Sequence, residues 1–382
     1  MAFRHPLRFP LMALGMVALL AALWGGLLRL GWDWPIVRPT TLPVAHGPLM
    51  ISGFLGTLIG LERAVALGQR WTYAGPTLTG LGALALVVGL PGAVGASLMA
   101  VGSLALAVVF AVIVRRQPGL SEVTMGIGAL AWLVGNSLWL SGWPIFRVVA
   151  WWAGFLVLTI AGERLELSRF LPTSRAARAI FVSGVGLFAA GLVLALSVFG
   201  LGARLSGLGL LVLAFWLLRY DIARRSLQKA GLTRFVAVSL LSGYLWLGVA
   251  GLLGLRFGGL AAGPHYDAWL HAIFLGFVFA MIFGHAPIIF PAVLGVPMPF
   301  RPAFYAHLAV LHVSLVLRVS GDLVAWWPGR QWGGLLNVVA VLLFLGNMAR
   351  AVLGGRGWLG PAGSTGPAEA RCESERVQGG AS

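Results

Sequence analysis

The chain has 382 residues, of which 59% are hydrophobic and only 10% charged, with a mean hydropathy of +0.91. A soluble globular domain of this length would not carry so little polar surface, so the composition specifies a polytopic membrane protein whose first partner is the lipid bilayer. The net charge of +16 would suggest nucleic acid in a soluble protein, but here the basic residues fall in short connections between apolar spans, where they report topology, and no nucleic-acid partner is expected.

In chain order, apolar stretches bounded by Pro, Gly and Arg predict helices at about 10–30, 44–67, 73–91, 94–114, 122–142, 145–166, 177–199, 203–220, 235–256, 268–291, 303–321 and 332–353, an all-α fold of twelve transmembrane helices. The first span lacks a small-residue cleavage site and reads as a membrane helix. One transmembrane domain over 1–354 is expected, followed by a disordered cytoplasmic tail over 355–382, rich in Gly, Pro, Ser, Glu and Arg. The single cysteine, Cys372, lies in that tail; it permits no internal disulfide, and the absence of a CxxCH motif rules out covalent c-type haem attachment.

Most of the 27 Lys and Arg fall at the amino terminus, in the tail and in the connections after even-numbered helices. The positive-inside rule then predicts a multi-pass protein of the bacterial inner membrane with both termini cytoplasmic. Three spans also share a pattern: GFLGTLIGLER (Gly53 to Arg63) in helix 2, GFLVLTIAGER (Gly154 to Arg164) in helix 6 and GFVFAMIFGH (Gly276 to His285) in helix 10. Each has Gly-Phe, an Ile six residues after the Gly, and an ionisable group nine after it: Glu62, Glu163 and His285. The pattern is compatible with three four-helix units around a pseudo-threefold axis, or with chance similarity among Gly- and Phe-rich spans.

The stretch His271 to His285, HAIFLGFVFAMIFGH, carries two histidines on one apolar span, where an imidazole is costly and is usually kept for a ligand, a proton or a partner. As an ideal α-helix it would bring His285 within about 40° of His271 and ~21 Å along the axis, on a common face in opposite leaflets. Aligned on the Gly-Phe pairs, His46 and His271 differ in height by about 3 Å. Two neutral imidazoles at one depth on parallel helices suit axial ligation of a b-type haem; the alternative is a pair of interfacial histidines bonded to loops. Gly47, Gly53 and Gly276 would let a porphyrin approach the backbone, and Arg318 could neutralise a propionate. His285 and His307, with Glu62 and Glu163 at a similar level, could form a metal, proton or cation site, or the glutamates could pair locally with their neighbouring arginines. His312 has no evident partner, His265 reads as a solvated loop residue and His5 as a tail residue. Asp267 reads as a helix cap, and Asn136 and Asp322 as uncommitted polar groups.

The runs HGPLMISGF in helix 2, HAIFLGFVFAM in helix 10, IAGER ending helix 6 and LRV (Leu317 to Val319) in helix 11 resemble the NnrS proteins. That resemblance implies a twelve-helix membrane protein associated with haem and copper, with nitric oxide or nitrosative stress, and with denitrification-linked redox complexes. The helix arrangement is also similar to that of haem–copper oxidase and nitric oxide reductase subunit I, which implies His46 and His271 as the haem ligands. Two departures stand out. Pro48 occupies the second position of an expected His-x-His, and helices 6 and 7 hold no histidine, so a haem-dependent oxidoreductase remains open but a binuclear oxygen reductase is not expected. The rival classes are a transporter or channel with a Glu62, Glu163 and His285 constriction, and a membrane assembly factor whose histidines are structural.

Overall fold

The structure is a computed structural model and describes residues 6–32, 34, 41–168, 174–296 and 298–356. His5, Cys372 and the expected tail from residue 357 onward lie outside the described residues. The chain forms α1 (Arg8–Arg29), α2 (Leu42–Leu67), α3 (Ala74–Val87), α4 (Gly92–Arg116), α5 (Leu120–Leu140), α6 (Ile145–Leu167), α7 (Arg175–Leu194), α8 (Phe199–Tyr220), α9 (Gly231–Phe257), α10 (Pro264–Val293), α11 (Phe304–Leu323) and α12 (Trp327–Arg356). Among the described residues there is no strand, and eleven of these helices are long and apolar enough to cross a membrane. The protein is an all-α polytopic membrane protein.

The expected third span is the exception. Hydropathy extends it over about 73–91, but α3 has 14 residues and stops at Val87, because Gly89 turns to φ +82° and Pro91 takes an extended ψ of 132°. A 3₁₀ turn, Arg70–Tyr73, adds one turn at its other end. The hydropathy of the linker carried the sequence boundary too far.

Three spans form the centre. α2, α6 and α10 are 72%, 78% and 72% buried within the protein over their apolar windows, whereas every other membrane span is between 33% and 50% buried. The remaining helices surround them in a repeating order: α1 packs on α2, α5 on α6 and α9 on α10, while α3 pairs with α4, α7 with α8 and α11 with α12. The helices that carry the repeated Gly-Phe pattern are thus the three central ones. Each repeat glycine is a point of close approach: a methyl at Gly53 would lie 2.9 Å from Ala83 Cβ, at Gly154 2.8 Å from Leu192 Cδ1, and at Gly276 2.5 Å from Trp246 Cβ.

α2 and α10 share a second feature that α6 lacks. Leu49–Leu55 and Ala272–Phe279 are π-helical, with hydrogen bonds to the fifth residue along, whereas Ile145–Leu167 is α-helical throughout. In α2 the π segment begins directly after Pro48, which cannot donate a backbone hydrogen bond to the preceding turn.

A buried polar knot fixes the centre to its neighbours. Ser52 Oγ and Trp152 Nε1 each donate to Asn136 Oδ1 at 2.9 Å, Asn136 Nδ2 donates to the Met99 carbonyl at 3.3 Å, and Trp132 Nε1 donates to Ser52 Oγ at 3.0 Å. Every side chain in this chain of bonds is fully buried. Four helices, α2, α4, α5 and α6, are tied together through Asn136, which the sequence left uncommitted.

Candidate functional site

Two cavities lie along the central helices. The first, of about 190 Å³, is walled by α1, α2, α6, α10, α11 and α12, and both His46 and His271 line it. The second, of about 100 Å³, lies further along α2, α6 and α10 and is lined by Glu62, Glu163 and His285. Ile51 lines the first and Leu55 the second; Leu275 lines the first and Val278 the second. The π segments therefore form the apolar partition, where Phe54 and Phe279 meet with ring centroids 6.3 Å apart.

In the first cavity the local geometry decides the state of each imidazole. His46 Nδ1 lies 2.7 Å from the Ala22 carbonyl, and His271 Nδ1 lies 2.8 Å from the Asp267 carbonyl one turn earlier. A carbonyl only accepts, so Nδ1 of each ring carries the proton and Nε2 keeps its lone pair. This is the arrangement that fixes a metal-binding imidazole in tautomer and direction. Gly26 makes room for it, since a methyl there would sit 2.9 Å from His46 Cε1.

Charge at this cavity is organised by Asp267. Arg318 donates to its Oδ2 from Nε at 3.1 Å and from the terminal nitrogen at 2.9 Å; Arg330 lies 3.3 Å from Oδ1, and His271 Nδ1 3.3 Å from Oδ2. Arg330 also reaches Asp322 at 3.2 Å. The helix-cap reading of Asp267 is therefore incomplete: it sits in the first turn, but its carboxylate joins α10, α11 and α12. Arg29 lines the same cavity. Among the described residues, two carboxylates against three arginines leave one positive charge over.

The residues present fit a haem on these grounds: two unprotonated Nε2 atoms on different helices of one cavity, an excess of cationic groups, and otherwise apolar walls. Of the glycines expected to admit a porphyrin, Gly47 lines the cavity, whereas Gly53 and Gly276 are filled by Ala18, Ala83 and Trp246 and serve helix packing. Copper finds less. Among the described residues, no group of three or more His, Cys, Asp and Glu is placed to hold a metal ion.

The other histidines separate. His285 donates from Nδ1 to the Met281 carbonyl at 2.9 Å, and its Nε2 faces Arg164 at 3.5 Å. His307, expected near His285, does not line the second cavity; it is fully buried among Phe235, Phe283, Phe304 and Phe344 and accepts at Nδ1 from Asn347. His312 accepts at Nδ1 from Trp246 at 3.0 Å and donates from Nε2 to Ser242 at 2.8 Å, which leaves no lone pair for a metal. His265 lies in the first turn of α10, its ring 4.2 Å from that of Phe257.

Around the second cavity the glutamates pair across helices as well as locally. Arg63 of α2 pairs closely with Glu163 of α6 and lies 3.6 Å from its neighbour Glu62. Arg164 turns away and forms a bidentate pair with Asp221, at 2.8 and 2.9 Å. The sequence showed Glu62, Glu163 and His285 as equivalent positions in a repeat, and the three do meet at one cavity.

The class defined here is a polytopic helical membrane protein with a two-histidine cavity between its central helices. The chain matches the family described as "Domain of unknown function (DUF8744)" over residues 8–353 and belongs to it. No curated protein and no solved structure matches the chain.

Proposed function

We propose that this chain is a haem-binding protein of the bacterial inner membrane, NnrS-like in type, that holds a b-type haem between His46 and His271 and serves nitric-oxide- or denitrification-linked redox handling. One observation carries this reading: the two imidazoles line a single cavity, each with Nδ1 bonded to a backbone carbonyl and Nε2 free. His46 and His271 would hold the iron through Nε2, and Arg318, Arg330 and Arg29 would face the haem's carboxylates. Leu23, Met50 and Phe274, on the cavity wall, would give the ligands an apolar surround. Bound iron would supply one-electron chemistry, its potential set by the axial pair and by burial. In the orientation given by the distribution of basic residues, both termini are cytoplasmic and the histidine cavity opens toward the opposite side.

The test is an absorption spectrum of detergent-purified protein, oxidised and then reduced with dithionite, with a pyridine haemochrome assay on the same sample. About one haem per chain with a sharp reduced α-band is expected. A protein that stays colourless after reconstitution with haemin would overturn the reading.

A further inference from the structure

The second cavity has no part in haem binding, yet the three repeated helices converge on it. Its walls are apolar, including Leu55, Ile59, Leu156, Ile160, Val278 and Ile282, and into them are set Glu62 and Glu163, whose side chains are 30% and 25% exposed. Thr159, on the same wall and 2% exposed, has a hydroxyl with no partner.

The charges here do not balance. Arg63 is shared by Glu62 and Glu163, so two carboxylates compete for one guanidinium. Arg164 cannot make up the difference, because it is held by Asp221. Neither Arg8, which donates to the Val293 carbonyl at the cavity's end, nor Glu166, one turn beyond Glu163, lines the cavity. His285 does not take the missing positive charge: Nδ1 donates to Met281, and a guanidinium nitrogen of Arg164 faces Nε2. Among the described residues, one negative charge is left over in a largely apolar wall, where an unbalanced charge is costly.

We propose that the Glu62–Glu163 pair is a proton-binding site that takes up one proton from the adjoining aqueous phase. The proton forms an O–H bond with one carboxylate, the other keeps Arg63, and no electron moves. A metal cation is a poor rival occupant, because Arg63 already stands against both carboxylates and only two acidic side chains line the cavity. The site stands independently of the haem reading.

Dicyclohexylcarbodiimide, an apolar reagent that adds to protonated carboxyl groups, tests this on the full chain in lipid vesicles, with adducts mapped by mass spectrometry. Glu62 or Glu163 is expected to be labelled, with labelling that falls as the pH rises. Glu62→Gln gives the remaining carboxylate sole use of Arg63, so labelling of Glu163 should fall by roughly tenfold or more, and Glu163→Gln should do the same to Glu62. Arg63→Gln should instead carry labelling to higher pH. The proposal fails if both glutamates stay unlabelled in the unaltered protein across the pH range, or if either glutamine variant leaves the other glutamate's labelling unchanged.

Discussion

The two cavities are built on the same three central helices, but their charges are arranged in opposite senses. Around His46 and His271, Arg318, Arg330 and the His271 ring converge on the one carboxylate of Asp267, and among the described residues Arg29 is left over. Around Glu62 and Glu163, two carboxylates converge on the one guanidinium of Arg63. The first field favours an anionic group, the second a proton. The three central helices thus carry two sites of opposite sign, separated by the apolar partition of Phe54 and Phe279.

The comparison predicts that damage to one cavity leaves the other's signature intact. The largest effect should come from His46→Ala or His271→Ala, each removing essentially all the Soret absorbance of purified protein while Glu62 and Glu163 keep their carbodiimide labelling. Retention of a full Soret band in both variants would exclude the axial pair.

Asp267→Asn comes next. It strips the counter-charge from two arginines, all three side chains being largely buried, and should cost about 3 kcal/mol, seen as a lower midpoint in thermal unfolding followed by tryptophan fluorescence. Partial loss of haem should accompany it, because the carboxylate oxygen 3.3 Å from His271 Nδ1 also helps to hold that ring. Asn136→Ala should cost about 2 kcal/mol by leaving the Trp152 and Ser52 donors unsatisfied in the core. Since it touches α2 and α6 but neither cavity, its Soret band per folded chain should be unchanged. A spectral shift in that variant would show the knot and the histidine cavity to be coupled.

Gly26→Ala is a smaller and more local probe. The added methyl crowds the His46 ring, so haem content should drop while the melting midpoint barely moves. Smallest of all, His285→Ala should leave the Soret band as it was, and a bleached protein would mean that His285 belongs to the haem site after all.

Much of this was legible in the sequence. Hydropathy located the helices because each crossing needs about twenty apolar residues, and it failed at α3, where a Gly-Pro linker is as apolar as the helix it ends. His46 and His271 were legible as a pair because aligning two repeats compares heights along parallel helices. What the sequence could not show was lateral placement. Asp267, Arg318 and Arg330 lie on three helices with no shared spacing, so their meeting was invisible, as was the meeting of Ser52, Asn136 and Trp152. His307 shows the converse: its height suggested His285 as a neighbour, but aromatic side chains from four helices enclose its ring.

The π segments of α2 and α10 carry a consequence for how the chain can be edited. Each lies between a histidine at one end of its helix and an ionisable group at the other, so the two ends are joined through a stretch with its own winding. A π segment of this length is a single-turn bulge that takes up an extra residue within an α-helix, so removing one residue from Leu49–Leu55 would let α2 close to α-helical winding with its two ends nearly in phase, keeping every side chain that lines either cavity outside the segment. Such a deletion would leave His46 at its carbonyl anchor and Glu62 in register with Glu163 while reshaping the partition between them, so a change of winding alone would alter the contact between the two sites without substituting a single cavity residue.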